Sequence, residues 1–251
     1  MRSYKKDLLS VQIHDTRAEM GAAAARDIKT CILSLLETKE TINMIFAAAP
    51  SQNEVLQGLA EDPGIPWQRI NAFHMDEYIG LRADAPQCFG NFLRRHLFDR
   101  VAFRSVHCIN SAATPEEAAA EYTRLLREYP TDIVVMGIGE NGHIAFNDPG
   151  FADFDDPETV KTVVLDPVCR QQQVNDGCFA KLEDVPAYAL TLTVPALMAA
   201  PWKFCIVPAK SKAWAVQQTL QGPVTDQIPA SVLRLQPNAV LYLDKESGSL
   251  L

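Results

Sequence analysis

Two places in the chain carry residues that could move protons. Asp76 follows the apolar run "INAFHM" (70–75), and Asn141, His143 and Asp148 lie within "MGIGENGHIAFNDPG" (136–150). An imidazole near a carboxylate exchanges protons at neutral pH, because the carboxylate fixes which ring nitrogen carries the proton. A carboxylate at a strand end, partly desolvated, is suited to shuttling one proton along one face of a substrate. Glu77 is adjacent to Asp76 and points to the opposite side of an extended backbone, so a structural role is expected for it.

The glycines around His143 form a G-x-G-x-x-G (Gly137, Gly139, Gly142). A dinucleotide-binding turn would need a long helix after the third glycine, to bring an N-terminus to the pyrophosphate. Here "HIAFNDPG" follows, and Pro149-Gly150 permits little regular helix. No second strand ending in Asp or Glu sits about 20 residues on, as a ribose contact would require. The glycines are better read as letting the backbone turn tightly and approach a ligand.

The elements that must hold these residues alternate along the chain. Helical patterns run over 16–39, from 50 to 62, over 88–101 and 115–129, near 167–179 and over 212–222. Seven strand candidates lie between them, at 42–49, 70–78, 132–139, 159–165, 187–193, 203–209 and 239–244. The run 132–139 is β-branched and apolar on both faces, as a buried parallel strand must be. This alternation predicts an α/β fold: a single domain over 1–251 with an open, mainly parallel sheet and helices on both faces, Rossmann-like and three-layered. In such sheets ligands bind beyond the carboxyl ends of the strands. "AAAPS" (47–51), "MDEY" (75–78) and "GENGH" (139–143) should therefore converge.

Composition narrows the partners. A net charge of −8 disfavours nucleic acid and anionic membranes, which need Lys and Arg against phosphate. An anionic small molecule would need a local cluster of donors. The six cysteines (31, 88, 108, 169, 178, 205) are scattered without metal-ligand spacing, so free thiols and no metal are expected. No apolar run reaches the length of a membrane span, and the start has no signal-peptide core, which points to the cytoplasm.

"GIGENGHIAFNDPG" together with "FHMDEYIGL" resembles the glucosamine-6-phosphate deaminase (isomerase) family, relatives of the 6-phosphogluconolactonases, over nearly the whole chain. The resemblance implies an aldose–ketose isomerising deaminase acting on a 2-amino-2-deoxy-hexose 6-phosphate, with glucosamine 6-phosphate giving fructose 6-phosphate and ammonia. It implies no cofactor or metal, a small sugar phosphate as partner, and room for a homo-oligomer. Asp76 takes the position of the base that moves a proton between C2 and C1. His143 takes that of the ring-opening histidine, and Asn141 and Asp148 those of its two acidic helpers. Both helpers depart from the best-known pattern: Asn141 stands for an Asp and cannot supply charge, while Asp148 stands for a Glu and is one methylene shorter.

For the substrate phosphate, the resemblance points to Arg170 in "VCRQQQ" and Lys212 in "KSKAWAV", with Lys210 as runner-up to Lys212. "FAAAPSQ" replaces the usual Thr-Gly-Gly type turn, so Ser51 and the amides near Ala48 and Ala49 would have to compensate. A 6-phosphogluconolactonase-like hydrolase and a non-catalytic sugar-phosphate sensor are the alternatives. "IAFNDP" and "MDEY" favour the deaminase over the first, and retention of Asp76 and His143 favours it over the second. Regulated family members bind N-acetylglucosamine 6-phosphate through a serine after the "FNEP" motif and an Arg-x-Lys pair, and have a longer tail after the last strand. Here Phe151 or Ala152 stands at the serine, and the pair reads Thr159-Val160-Lys161, so no activation by that effector is expected.

Overall fold

The computed structural model describes residues 1–251. The chain opens with a hairpin, β1 (Arg2–Lys6) and β2 (Leu9–His14), then α1 (Arg17–Leu36), β3 (Ile42–Phe46), α2 (Asn53–Ala60) and β4 (Ile70–His74). It continues through β5 (Asp76–Tyr78), α3 (Phe89–Leu93), β6 (Ser105–His107), α4 (Pro115–Glu128) and β7 (Ile133–Met136). After an irregular stretch come β8 (Val160–Val164), α5 (Pro167–Asn175), β9 (Tyr188–Leu192), α6 (Val194–Met198), β10 (Trp202–Val207), α7 (Ala213–Gln221) and β11 (Ala239–Asp244).

Eight strands form an open sheet in the order β1-β2-β11-β10-β7-β3-β4-β6. Only the β1–β2 pair is antiparallel. The central strands alternate between two cores, as the two-residue period of a strand requires. Ile133 and Val135 of β7 pack with α1 and α2 residues such as Ile28 and Leu56. Val134 and Met136 pack on the other side with Tyr122 of α4 and Val216 of α7. All four β7 side chains are fully buried, which is why that run reads as apolar without alternation. The helices start where their caps dictate. Thr16 accepts from the Glu19 N–H at α1, and Thr114 and Glu117 form a reciprocal capping box at α4, with Pro115 in the first turn.

The structure corrects the expected strands in three ways. The run 70–78 is two strands in two sheets. The Tyr122 hydroxyl accepts the His74 N–H and donates to the His74 carbonyl, so β4 ends there. The chain then turns at Met75, whose carbonyl accepts from Leu192 N at 2.8 Å, and β5 joins β9 and β8. The runs 159–165 and 187–193 accordingly belong to this small antiparallel sheet rather than the main one. The main sheet is completed instead by β1, β2 and β6; β1 and β6 are polar or half-exposed, while β2 (LSVQIH) alternates and buries Leu9 and Val11 but is not among the expected strands. The helix expected over 88–101 is a short α3 continued by one π-helical turn at Arg94–Phe98. No helix is long and apolar enough to cross a membrane.

Candidate active site

The three strand-end loops meet as expected. Ala48, Ala49 and Ser51 after β3, Asp76 after β4, and Gly137, Gly139 and His143 after β7 line one cleft. Lys212, following β10, closes the same cleft, with Gln172 and Gln173 of α5.

The glycines of the β7 loop serve the histidine. A Cβ on Gly139 would lie 2.0 Å from the His143 ring, so only glycine lets the imidazole fold back over this backbone. The Gly139 N–H donates to the His143 carbonyl at 2.9 Å, closing the turn, and Gly142 has φ +89°. No long helix follows Gly142, so the dinucleotide motif is formal only.

Asn141 organises the proton relay. Its Nδ2 donates to Asp148 Oδ1 at 2.9 Å, and its Oδ1 accepts the His143 N–H at 3.1 Å. An ionised carboxylate cannot donate, so this amide orientation satisfies both neighbours. His143 Nδ1 lies 2.7 Å from Asn141 Oδ1 and 3.0 Å from Asp148 Oδ1. Two acceptors at Nδ1 place the proton there, leaving Nε2 as the acceptor nitrogen. Burial alone would raise the Asp148 carboxyl, but His143 and Asn141 outweigh it and hold Asp148 below its ordinary value. The shorter side chain therefore still reaches the imidazole. The loop is fixed to the small sheet by Phe146 N, which donates to Thr191 Oγ1 at 3.0 Å.

Asp76 and Glu77 divide as their opposite directions predict. The three backbone N–H groups of Tyr78, Phe89 and Gly90 donate to Glu77 at 2.9–3.0 Å, tying β5 to the start of α3. Asp76 instead lines the cleft at 7% exposure. Burial, and then the neighbouring Glu77 charge, push its carboxyl well above the ordinary carboxylate value. Once ionised, it is a stronger base than a solvated Asp.

At the far end, Lys212 is 5% exposed and lines the cleft, while Lys210 is exposed and outside it. Burial lowers the Lys212 ammonium pKa, with Asp176 and Glu140 partly offsetting this. No backbone carbonyl takes the Ala48 or Ala49 N–H. Arg170 is not brought to the cleft. Its Nη2 donates to the Leu182 and Val185 carbonyls at 2.9 and 2.7 Å, bracing the 182–185 turn. The buried face of α5 carries Cys169, Gln172 and Gln173, an i, i+3, i+4 set, and Arg170 lies one residue off it. That spacing is visible in "CRQQQ" and is the signal that finds Gln172 and Gln173. Gln52 was also missed, since a single glutamine in the helical turn that opens at Pro50 has no pattern. It bridges Ser51 Oγ and the Ile206 carbonyl, both at 3.1 Å.

The model of the glucosamine-6-phosphate isomerases/6-phosphogluconolactonase family matches residues 15–242. A glucosamine-6-phosphate deaminase of Exiguobacterium sibiricum is 36% identical over 185 residues, 73% of this chain and 71% of that protein. One of Streptococcus sanguinis is 32% identical over 238 residues, 94% of this chain and 97% of that protein. Among solved structures, a monomeric glucosamine-6-phosphate deaminase superposes with a TM-score of 0.86 at 27% identity, over 96% of this chain and 99% of that one. A 6-phosphogluconolactonase of Thermotoga maritima superposes with a TM-score of 0.75 at 21% identity, over 94% and 99%, which speaks for the fold alone. With the match running from the start of α1 into β11 and taking in the His143 loop and Asp76, the chain belongs to the glucosamine-6-phosphate isomerase/6-phosphogluconolactonase family.

Proposed function

We propose that this protein is an isomerising deaminase that converts a 2-amino-2-deoxy-hexose 6-phosphate, glucosamine 6-phosphate foremost, to the ketose 6-phosphate and ammonia. The observation that carries this reading is the presence in one cleft of a buried carboxylate, Asp76, and a tautomer-fixed imidazole, His143, with a single buried cation, Lys212. Lactone hydrolysis needs no base acting at a sugar carbon. The curated relatives named above carry the deaminase name.

In this mechanism the phosphate is held by Lys212, Ser51 and the free amides of Ala48 and Ala49. His143 Nε2 takes the proton from O1 of the cyclic sugar, and the imidazolium returns it to the ring oxygen as that C–O bond breaks. Asp148 and Asn141 hold the transient charge and orientation at Nδ1. Asp76 removes the C2 proton from the open-chain aldehyde as O1 takes a proton from the substrate's ammonium, and the same carboxyl delivers its proton to C1 of the resulting enolamine. The iminium so formed at C2 adds water, and ammonia leaves as the C2 carbonyl forms.

The test is ammonia release, measured against a panel of hexosamine 6-phosphates with 6-phosphogluconolactone in parallel. Ammonia and ketose phosphate in equal amounts from one hexosamine phosphate are expected. Lactone hydrolysis without ammonia release from any panel member would overturn the reading.

A further inference from the structure

Behind the relay lies a third potential ligand that the proposed reaction does not use. One donor atom each from His143, Asp148 and Cys169 lie within 4.8 Å of one another, and all three residues are buried. Asp148 is 1% exposed; its Oδ1 serves Asn141 and His143, whereas its buried Oδ2 meets the Asp166 backbone N–H outside good hydrogen-bond geometry. A carboxylate oxygen so poorly paired in a dry site has room for a better donor or a cation. We propose that His143, Asp148 and Cys169 form a binding site for a soft divalent cation of the Zn²⁺ type, and that its occupancy shuts off the enzyme.

The donor set suits that ion. Nitrogen, carboxylate oxygen and thiolate are its usual ligands, and in a tetrahedral site at normal bond lengths they stand about 3.3–3.8 Å apart. Movements of about an ångström or less, within side-chain adjustment, bring the three together around one ion. The fourth position is left for water. Binding replaces the thiol proton: the S–H bond of Cys169 breaks, a sulfur–metal bond forms, and the proton leaves to solvent. Burial and the nearby Asp148 charge keep Cys169 a thiol in the absence of a cation. Coordination also stops the relay through either ring nitrogen. At Nε2 the metal occupies the acceptor; at Nδ1 it forces the proton onto Nε2.

The inhibition half of this inference rests on the proposed deaminase chemistry, but the binding half does not. The metal-free protein is therefore titrated with Co²⁺ and Zn²⁺. Co²⁺ should produce a thiolate-to-cobalt charge-transfer band, and Zn²⁺ should bind one ion per chain in equilibrium dialysis. In Cys169→Ser the band disappears, and in Cys169→Ala the dialysis stoichiometry falls. Zn²⁺ should inhibit ammonia release reversibly, EDTA restoring it, with the half-inhibiting concentration raised at least about tenfold in Cys169→Ser. Uninhibited turnover of that variant should be unchanged. A band absent from the wild-type protein, or one that persists in Cys169→Ser, would overturn the site. A band without any activity in the panel would leave the site standing and remove the deaminase reading instead.

Discussion

Thr191 stands opposite Asp76 in the β5–β9 register, and its hydroxyl accepts the Phe146 N–H at 3.0 Å. One fully buried side chain thus sets the distance between the strand of the proposed base and the loop of the proposed ring-opening histidine. Thr191→Val keeps the shape but leaves the Phe146 N–H without its acceptor, at a cost of about 1–3 kcal/mol. Turnover should fall with little change in KM, because the phosphate end is untouched. Steady-state kinetics that show a KM effect alone would remove this coupling.

Asp76 gives a prediction with two opposed signs. Its folded carboxyl holds the proton more tightly than the unfolded chain does, because burial and then Glu77 penalise the ionised form. Its contribution to stability is therefore fully present below the unfolded value and is lost as pH rises toward the raised folded value. At neutral pH, Asp76→Asn should raise the melting temperature by about 2 °C or more while lowering turnover at least about 100-fold. The wild-type acid limb of log kcat against pH should lie above the ordinary carboxylate range, since the base must be ionised to act. An acid limb at the value of a free Asp would contradict the assignment.

Gly139 tests the histidine without touching it. In Gly139→Ala the new Cβ would fall 2.0 Å from the imidazole, so the ring must leave its place between Asn141 and the cleft. Turnover of the cyclic substrate should drop by about 100-fold or more, and His143→Gln should behave alike. Binding of a ring-opened analogue should suffer much less in both variants. Equal losses for the two ligands would make His143 structural.

Lys212 and Arg170 should separate cleanly. Lys212→Met removes the cleft's cation and should raise KM about tenfold or more. Arg170→Met frees the Leu182 and Val185 carbonyls, so the melting temperature should fall while KM stays within about twofold. A reversed pattern, with KM following Arg170, would mean that the guanidinium turns into the cleft when phosphate is present.

Kinetics should be hyperbolic and indifferent to N-acetylglucosamine 6-phosphate. The Arg-x-Lys pair is reduced to Lys161, and its ammonium is already held by Asp156 Oδ2 at 2.6 Å and the Phe151 carbonyl at 3.1 Å. An effector shifts a conformational equilibrium only through differential affinity, and this position has lost its guanidinium and keeps an ammonium already paired with Asp156. A sigmoidal rate curve that straightens when the effector is added would show otherwise.

Much of this molecule could be read along the chain. The buried strand 133–136, the capped helices and the loop that offers His143 are local matters, set by side-chain period, caps and glycine, and each is visible in a short window. The convergence of "AAAPS", "MDEY" and "GENGH" followed from parallel strands alone. Other features depend on which strand lies beside which. "INAFHMDEY" has no local break, yet the Tyr122 hydroxyl ends β4 at His74, and pairing with β9 turns Asp76 into the cleft. β1 and β6 join the sheet through backbone hydrogen bonds that leave no mark in their side chains, whereas β2 shows its alternation locally in LSVQIH. Arg170 has the right chemistry for phosphate, but helical phase and two distant carbonyls point it elsewhere, while Gln172 and Gln173 take the lining. Cys169 is scattered among six thiols in the sequence and beside His143 and Asp148 only in space. Sequence carries the chemistry each residue can do and the period of its own element. Which residues meet is decided by pairing and packing across the chain, where the energy of a contact depends on a partner that no local window contains.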